Sequence, residues 1–285
     1  MVQISQKKIA VVSAFAGFGH CSLAMALPVI SALGVQCCPV PTSVLSNNTA
    51  YPDCFFVDFT DKMQPYLETW EKLGLQFDGI YTGFLGSEHQ AAIVQRMLKK
   101  FRQPNTVVVV DPVMGDHGKT YRTCTPKVCA AIKELVSAAD IITPNLTECC
   151  ILTGEVYRED FSEEALFSLA DKLRALGPKR VVITGVEAGD YLYNVIADYD
   201  NRTIHKVRKA GIARCGTGDI FASIVAANAV KNISLTDAVV QASAFISKCI
   251  ALSEEKGLEP RAGVCFEECL GELIAGSKAK ENQNE

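Results

Sequence analysis

Thr106-Val107-Val108-Val109-Val110-Asp111 is a short, β-branched, apolar run that ends in acid, and Pro112-Val113-Met114-Gly115-Asp116 follows it. Such a run suits a strand buried on both faces, which is the situation inside a parallel sheet covered by helices. Similar runs lie at 9–13, 79–82, 141–143 and 181–185, and helical patterns at 87–101, 126–138 and 163–176 fall between them. Repeating βα units of this kind predict an α/β fold of three layers, α/β/α, with a largely parallel central sheet. Ligands of such sheets bind outside the carboxyl ends of the strands, where Asp111 and Asp116 stand.

Beyond 185 the rhythm changes. Runs at 191–197 and 203–207 predict a β-hairpin feeding a loop at 208–215, followed by apolar helices at 217–230 and 235–252. No internal repeat or Gly/Ser/Pro-rich linker interrupts the chain, so one domain is expected over 1–276. The polar segment 277–285 reads as a disordered tail.

The chain has 285 residues and a formal net charge of -4, with acidic and basic residues interleaved, which leaves no basic face for nucleic acid. No apolar run approaches the ~20 residues of a membrane span, and the polar start at 1–8 lacks a secretory pattern, so the cytoplasm is the expected location and no membrane role is expected. The twelve cysteines are scattered and include the adjacent pairs Cys37-Cys38 and Cys149-Cys150, which predicts reduced, mostly buried thiols. Only Cys265 and Cys269 approach zinc-ligand spacing, and packing of a helix is the preferred reading. His20, His89, His117 and His205 show no joint metal spacing. Gly17-Phe18-Gly19 fails the dinucleotide fingerprint at Ser22, and no acid stands at 39–42.

Cys215-Gly216-Thr217-Gly218-Asp219 opens an apolar helix. Unpaired N–H groups and the positive end of the dipole make such a terminus an anion site, and the glycines leave the backbone open to a phosphate. Asp219 then has two readings: a general base that takes a proton from an attacking alcohol, or a plain first-turn helix cap. The pentapeptide alone leaves both open.

The segment resembles the C-terminal Gly-x-Gly-Asp signature of the ribokinase superfamily. Four further blocks, in order, resemble that superfamily's vitamin B6 kinase branch: Ser46-Asn47-Asn48-Thr49-Ala50-Tyr51, Tyr81-Thr82-Gly83-Phe84-Leu85-Gly86-Ser87, Asp111 to Asp116, and Ile141-Ile142-Thr143-Pro144-Asn145-Leu146-Thr147-Glu148. The resemblance implies transfer of the ATP γ-phosphoryl group to the 5'-hydroxymethyl of pyridoxal, pyridoxine or pyridoxamine. In that scheme Asp219 is the base beside the substrate, with Gly216, Thr217 and Gly218 forming the anion hole. Asp111, Asp116, Thr143, Asn145, Glu148, Thr184, Gly216 and Gly218 would face ATP, and Asp111 and Glu148 would hold Mg²⁺. Ser13 and Thr49 would meet polar atoms of the pyridine ring, and Val44 and Phe84 would pack on its faces. A homodimer is implied, with room for a monovalent cation such as K⁺. The charged stretch 206–214 is expected to form a flap over ATP that excludes water.

The chain departs from the branch at Cys21-Ser22, where better-known members have Gly-Asn, and at Phe84, where Tyr is common. Hydroxymethylpyrimidine kinase is the rival reading with the same fold; Asp219 and the 46–51 loop favour B6. A catalytically silent sensor would be expected to lack the acids that this chain keeps.

Overall fold

The computed structural model describes residues 6–199 and 201–281, with side chains to 275. The amino-terminal half contains β1 (Lys8–Ala16), α1 (Leu23–Ala32), β2 (Gln36–Leu45), β3 (Phe56–Asp58), α2 (Thr60–Lys72), β4 (Gly79–Thr82), α3 (Glu88–Phe101), β5 (Val107–Val110), the small strands β6 (Gly115–Asp116) and β7 (Lys119–Thr120), and α4 (Pro126–Ser137). There follow β8 (Ile141–Ile142), α5 (Leu146–Thr153), α6 (Glu163–Arg174), β9 (Arg180–Ala188), β10 (Tyr191–Asp198), β11 (Asn201–Arg208), α7 (Thr217–Val230), α8 (Leu235–Glu255) and α9 (Leu270–Glu281).

Nine strands form one sheet in the order β11-β10-β9-β8-β5-β4-β1-β2-β3. The six from β9 to β2 run parallel, and antiparallel strands close both ends. Alternation along β1 explains the layers. Ala10 and Val12 join the core beneath α2, α3, α4 and α6, whereas Ile9 and Val11 join the core beneath α1, α7 and α8. Ile9, Val11 and Val12 each contribute roughly 1.5–3 kcal/mol on full burial, and Ala10 less. The expected three-layer architecture and the hairpin β10/β11 are both present.

The sequence reading did not find β2, because Pro39 and Pro41 argue against a strand. Gln36 donates its N–H toward the β1 side, to Lys7 O at 2.8 Å, so residues an odd number further on face the other way. On that outer side β3 pairs only with Ser43, Val44 and Leu45. The two prolines therefore interrupt no ladder, and the outward carbonyl of Pro39 accepts the Tyr66 hydroxyl at 2.8 Å.

Three other expectations need correction. α8 is long and apolar enough, by length and composition, to cross a membrane. It is a core helix instead: Leu235, Ala238, Val239, Ala242, Phe245 and Cys249 are buried, and it packs along α7. All twelve cysteines are free thiols, but only Cys124, Cys149, Cys150, Cys249 and Cys269 are buried and the rest are half-buried. The backbone is helical through Glu281 where a tail was expected from 277, and 282–285 lie outside the described residues.

Candidate active site

β4, β5 and β8 end side by side between β1 and β9, which run on past them, and this end of the sheet carries polar side chains from or just beyond all five strands. Ser13, near the end of β1, is buried, and its Oγ accepts the Phe84 N–H at 3.2 Å just beyond β4. The Phe84 carbonyl accepts the Thr42 hydroxyl at 3.1 Å, so the Phe84 backbone is held from two strands. The Phe84 ring packs with Cys21 and Cys54 on a small apolar cluster of Ala14, Ala16 and Leu45. Val44 is 39% exposed on β2, and Thr49 is exposed on the 46–51 loop. Among the described residues, no hydrogen bond joins the Thr49 hydroxyl to Ser13 or Phe84.

Asp111 follows β5 and is buried, with the Thr143 hydroxyl donating to it at 3.3 Å. Burial and the neighbouring charges of Glu148 and Asp219 push its carboxyl well above the usual range. Glu148 is also buried. Its Oε2 accepts the Asn145 N–H at 2.8 Å and its Oε1 accepts the Met114 N–H at 3.1 Å. The Asn145 side chain accepts the Glu148 N–H in return, which makes a capping box that starts α5. Burial raises the Glu148 carboxyl to about 8 despite these donors. The helix-capping reading of Asn145 and Glu148 is thus realised. Capping is also how they are aimed: Asn145 Nδ2 donates to Gly115 O at 2.8 Å, and Asn145 bridges to Thr184, whose N–H donates to Pro144 O at 2.9 Å. Asp116 is exposed; it accepts the His117 N–H at 2.8 Å, and its charge helps raise Glu148.

At the head of α7 the two glycines serve different ends. Gly216 has φ +82°, and a Cβ there would lie 2.2 Å from the His20 carbonyl oxygen, so the position tolerates only glycine. A Cβ on Gly218 would meet nothing within 4 Å. Gly218 faces open space, as a phosphate cradle requires. The Thr217 hydroxyl is turned back onto Arg214 O at 3.2 Å. Asp219 is half-buried, and burial raises its carboxyl to about 6, with the Ser22 backbone N–H pulling the other way. That donor belongs to the turn before α1, so the carboxylate reaches across to another segment.

The 206–214 stretch is not a single free flap. Lys206 belongs to β11 and pairs with Glu163, Lys209 pairs with Glu187, and Arg214 is buried, donating to Leu258 O and Glu254 at 2.8 and 2.9 Å. Only 211–213 is exposed throughout.

Sequence reasoning missed Ser22, Tyr81 and Asn48. Ser22 holds φ +54°, strain of the kind that gathers at working sites. Tyr81 is buried, with its phenol raised by burial and by the charges of Asp111 and Asp219. Asn48 is buried in the 46–51 loop.

Acids beyond adjacent strands thus lie near a glycine-opened helix terminus, an arrangement able to hold a phosphate beside a proton-accepting carboxylate. The phosphomethylpyrimidine kinase family profile matches residues 25–264. A "Pyridoxine/pyridoxal/pyridoxamine kinase" of Bordetella avium is 33% identical over 249 residues, covering 82% of this chain and 81% of that one. A Bacteroides thetaiotaomicron structure bearing the phosphomethylpyrimidine kinase name and solved with pyridoxal is 37% identical, has a TM-score of 0.90, and overlaps 94% of this chain and 96% of its own. The pyridoxal kinase of Lactobacillus plantarum is 26% identical with a TM-score of 0.89, over 96% and 99% of the two chains. The chain belongs to the phosphomethylpyrimidine kinase family.

Proposed function

We propose that the chain is a pyridoxal kinase, moving the γ-phosphoryl group of ATP onto the 5'-hydroxymethyl of pyridoxal, pyridoxine or pyridoxamine. The observation that carries this reading is Asp219. Burial pushes its carboxyl up to about 6, which leaves it largely ionised at neutral pH yet still basic enough to take a proton, and it follows Gly218, where a Cβ would meet nothing within 4 Å. The relative named for all three vitamers and the structural neighbour solved with pyridoxal support the substrate class.

In this reading Asp219 accepts the alcohol proton as the oxygen attacks the γ-phosphorus in line. N–H groups from Gly216 to Asp219 stabilise charge on the transferring oxygens, each worth roughly 3 kcal/mol in the transition state. Asn145 and Thr184, held together behind Glu148, stand on the ATP side. Among the described residues no group of three or more His, Cys, Asp or Glu could hold a metal alone. The donor set instead fits Mg²⁺ held by Asp111 and Glu148 together with phosphate oxygens and water, where it would neutralise charge. Two buried acids with raised carboxyls are what such a cation would relieve. The reading includes one kinase domain over 1–276 and a homodimer.

The family's name, together with a relative of Aquifex aeolicus named "Hydroxymethylpyrimidine/phosphomethylpyrimidine kinase", favours a second substrate, hydroxymethylpyrimidine. A coupled ADP-release assay with ATP and Mg²⁺ against the three vitamers and hydroxymethylpyrimidine tests both. Turnover on a vitamer is expected; preference for the pyrimidine would replace the substrate, and activity on none would overturn the reading.

A further inference from the structure

Three segments far apart in sequence meet beside the Phe84 cluster, and one side chain joins them. Asn48 is 5% exposed. Its Nδ2 donates to Gly19 O at 2.5 Å and to Arg261 O at 2.8 Å, 29 and 213 residues away. Its Oδ1 accepts the Ala50 N–H at 3.0 Å, and its backbone N–H donates to Phe18 O at 2.9 Å. A primary amide suits this position because it carries two protons on one nitrogen and an acceptor beside it; an ionised Asp has no proton, and a His nitrogen has one at most.

The surroundings are shaped to the same side chain. Gly19 has φ +89°, and a Cβ there would lie 2.3 Å from Asn48 Nδ2. The Arg261 guanidinium lies 4.9 Å over the Tyr51 ring, and Tyr51 contacts Phe18 with ring centroids 5.5 Å apart. His20, next to Gly19, pairs with Glu267 at 2.9 Å, so the C-terminal segment grips the 17–22 loop a second time.

We infer that Asn48 is a positioning residue that fastens the loop carrying Thr49 to the 17–22 loop and to the turn at Arg261, and thereby sets affinity for the alcohol substrate. The inference rests on the proposed reading that this loop faces the alcohol. The acids and amides assigned to ATP come from β5, β8 and β9 and do not touch the clamp; the 17–22 loop reaches the phosphate side only where the His20 carbonyl packs against Gly216, so loss of the clamp weighs more on the alcohol than on ATP.

Asn48→Asp keeps the acceptor for Ala50, removes both donors and sets a charge against two carbonyls. The KM for the B6 alcohol should rise about tenfold, the size of one net hydrogen bond, while the KM for ATP stays within about twofold. Arg261→Ala removes an exposed cation–π contact to the same unit and should give a smaller rise with the same selectivity. If Asn48→Asp does not fold, Arg261→Ala decides alone. In either variant, both KM values unchanged, or both moving together, would overturn the inference. Amide hydrogen exchange reads the clamp without turnover, separating it from the kinase assignment. In Asn48→Asp, protection lost together at 17–22 and 48–51 supports it even if the wild-type chain phosphorylates none of the alcohols. Loss confined to 48–51 overturns it.

Discussion

At the scale of single residues, the behaviour of Asp219 turns on where its proton goes. A base with a carboxyl near 6 must be ionised to work, so kcat should fall as pH drops through about 6 and level off above it. Asp219→Asn should keep the fold while lowering turnover by about 10²- to 10⁴-fold and removing that acid limb from the pH–rate profile. Near-normal turnover would remove Asp219 from the role. The motif alone could not separate cap from base, because first-turn acids are common at helix starts. The Ser22 donor, which draws the carboxylate toward another segment, lies almost two hundred residues earlier in the chain. Asn48 was hidden for a similar reason: its partners at Gly19 and Arg261 are visible only once the chain is folded.

Elements were legible where periodicity and capping agreed. The spacing predicts β4 and α7 at their observed bounds, and Ser87 and Thr125 cap α3 and α4 with side-chain oxygens that accept from Gln90 and Val128. β2 was illegible because its prolines face the side that β3 leaves unpaired, a fact of topology. The glycines that open α7 give the prediction proper to this scale. Gly216→Ala meets the His20 carbonyl in a left-handed conformation and should lower the melting temperature markedly. Gly218→Ala enters open space, so melting should be near wild type while the KM for ATP rises several-fold. Equal effects of the two substitutions on stability and on ATP affinity would show that the glycines do not divide the work.

For the whole molecule, gathering Asp111, Glu148 and Asp219 at one end of the sheet ties global stability to pH. Folding raises these acids, Glu148 from about 4.5 to about 8, so the folded chain binds more protons than the unfolded chain between those values. Stability should therefore fall as pH rises through that window, by linkage. Differential scanning calorimetry without ligand should show melting a few degrees lower at pH 8 than at pH 5.5, with Asp111→Asn flattening the slope. A melting temperature that rises from pH 5.5 to 8 would contradict the burial of these groups. The far edge of the same sheet raises a separate matter. A strand margin with free N–H groups is a template on which another chain can polymerise. Where β3 stops short of covering β2, Pro39 and Pro41 have no N–H to offer, so the uncovered margin gives an incoming strand little to grip, and the sheet resists growing into a fibre from that side.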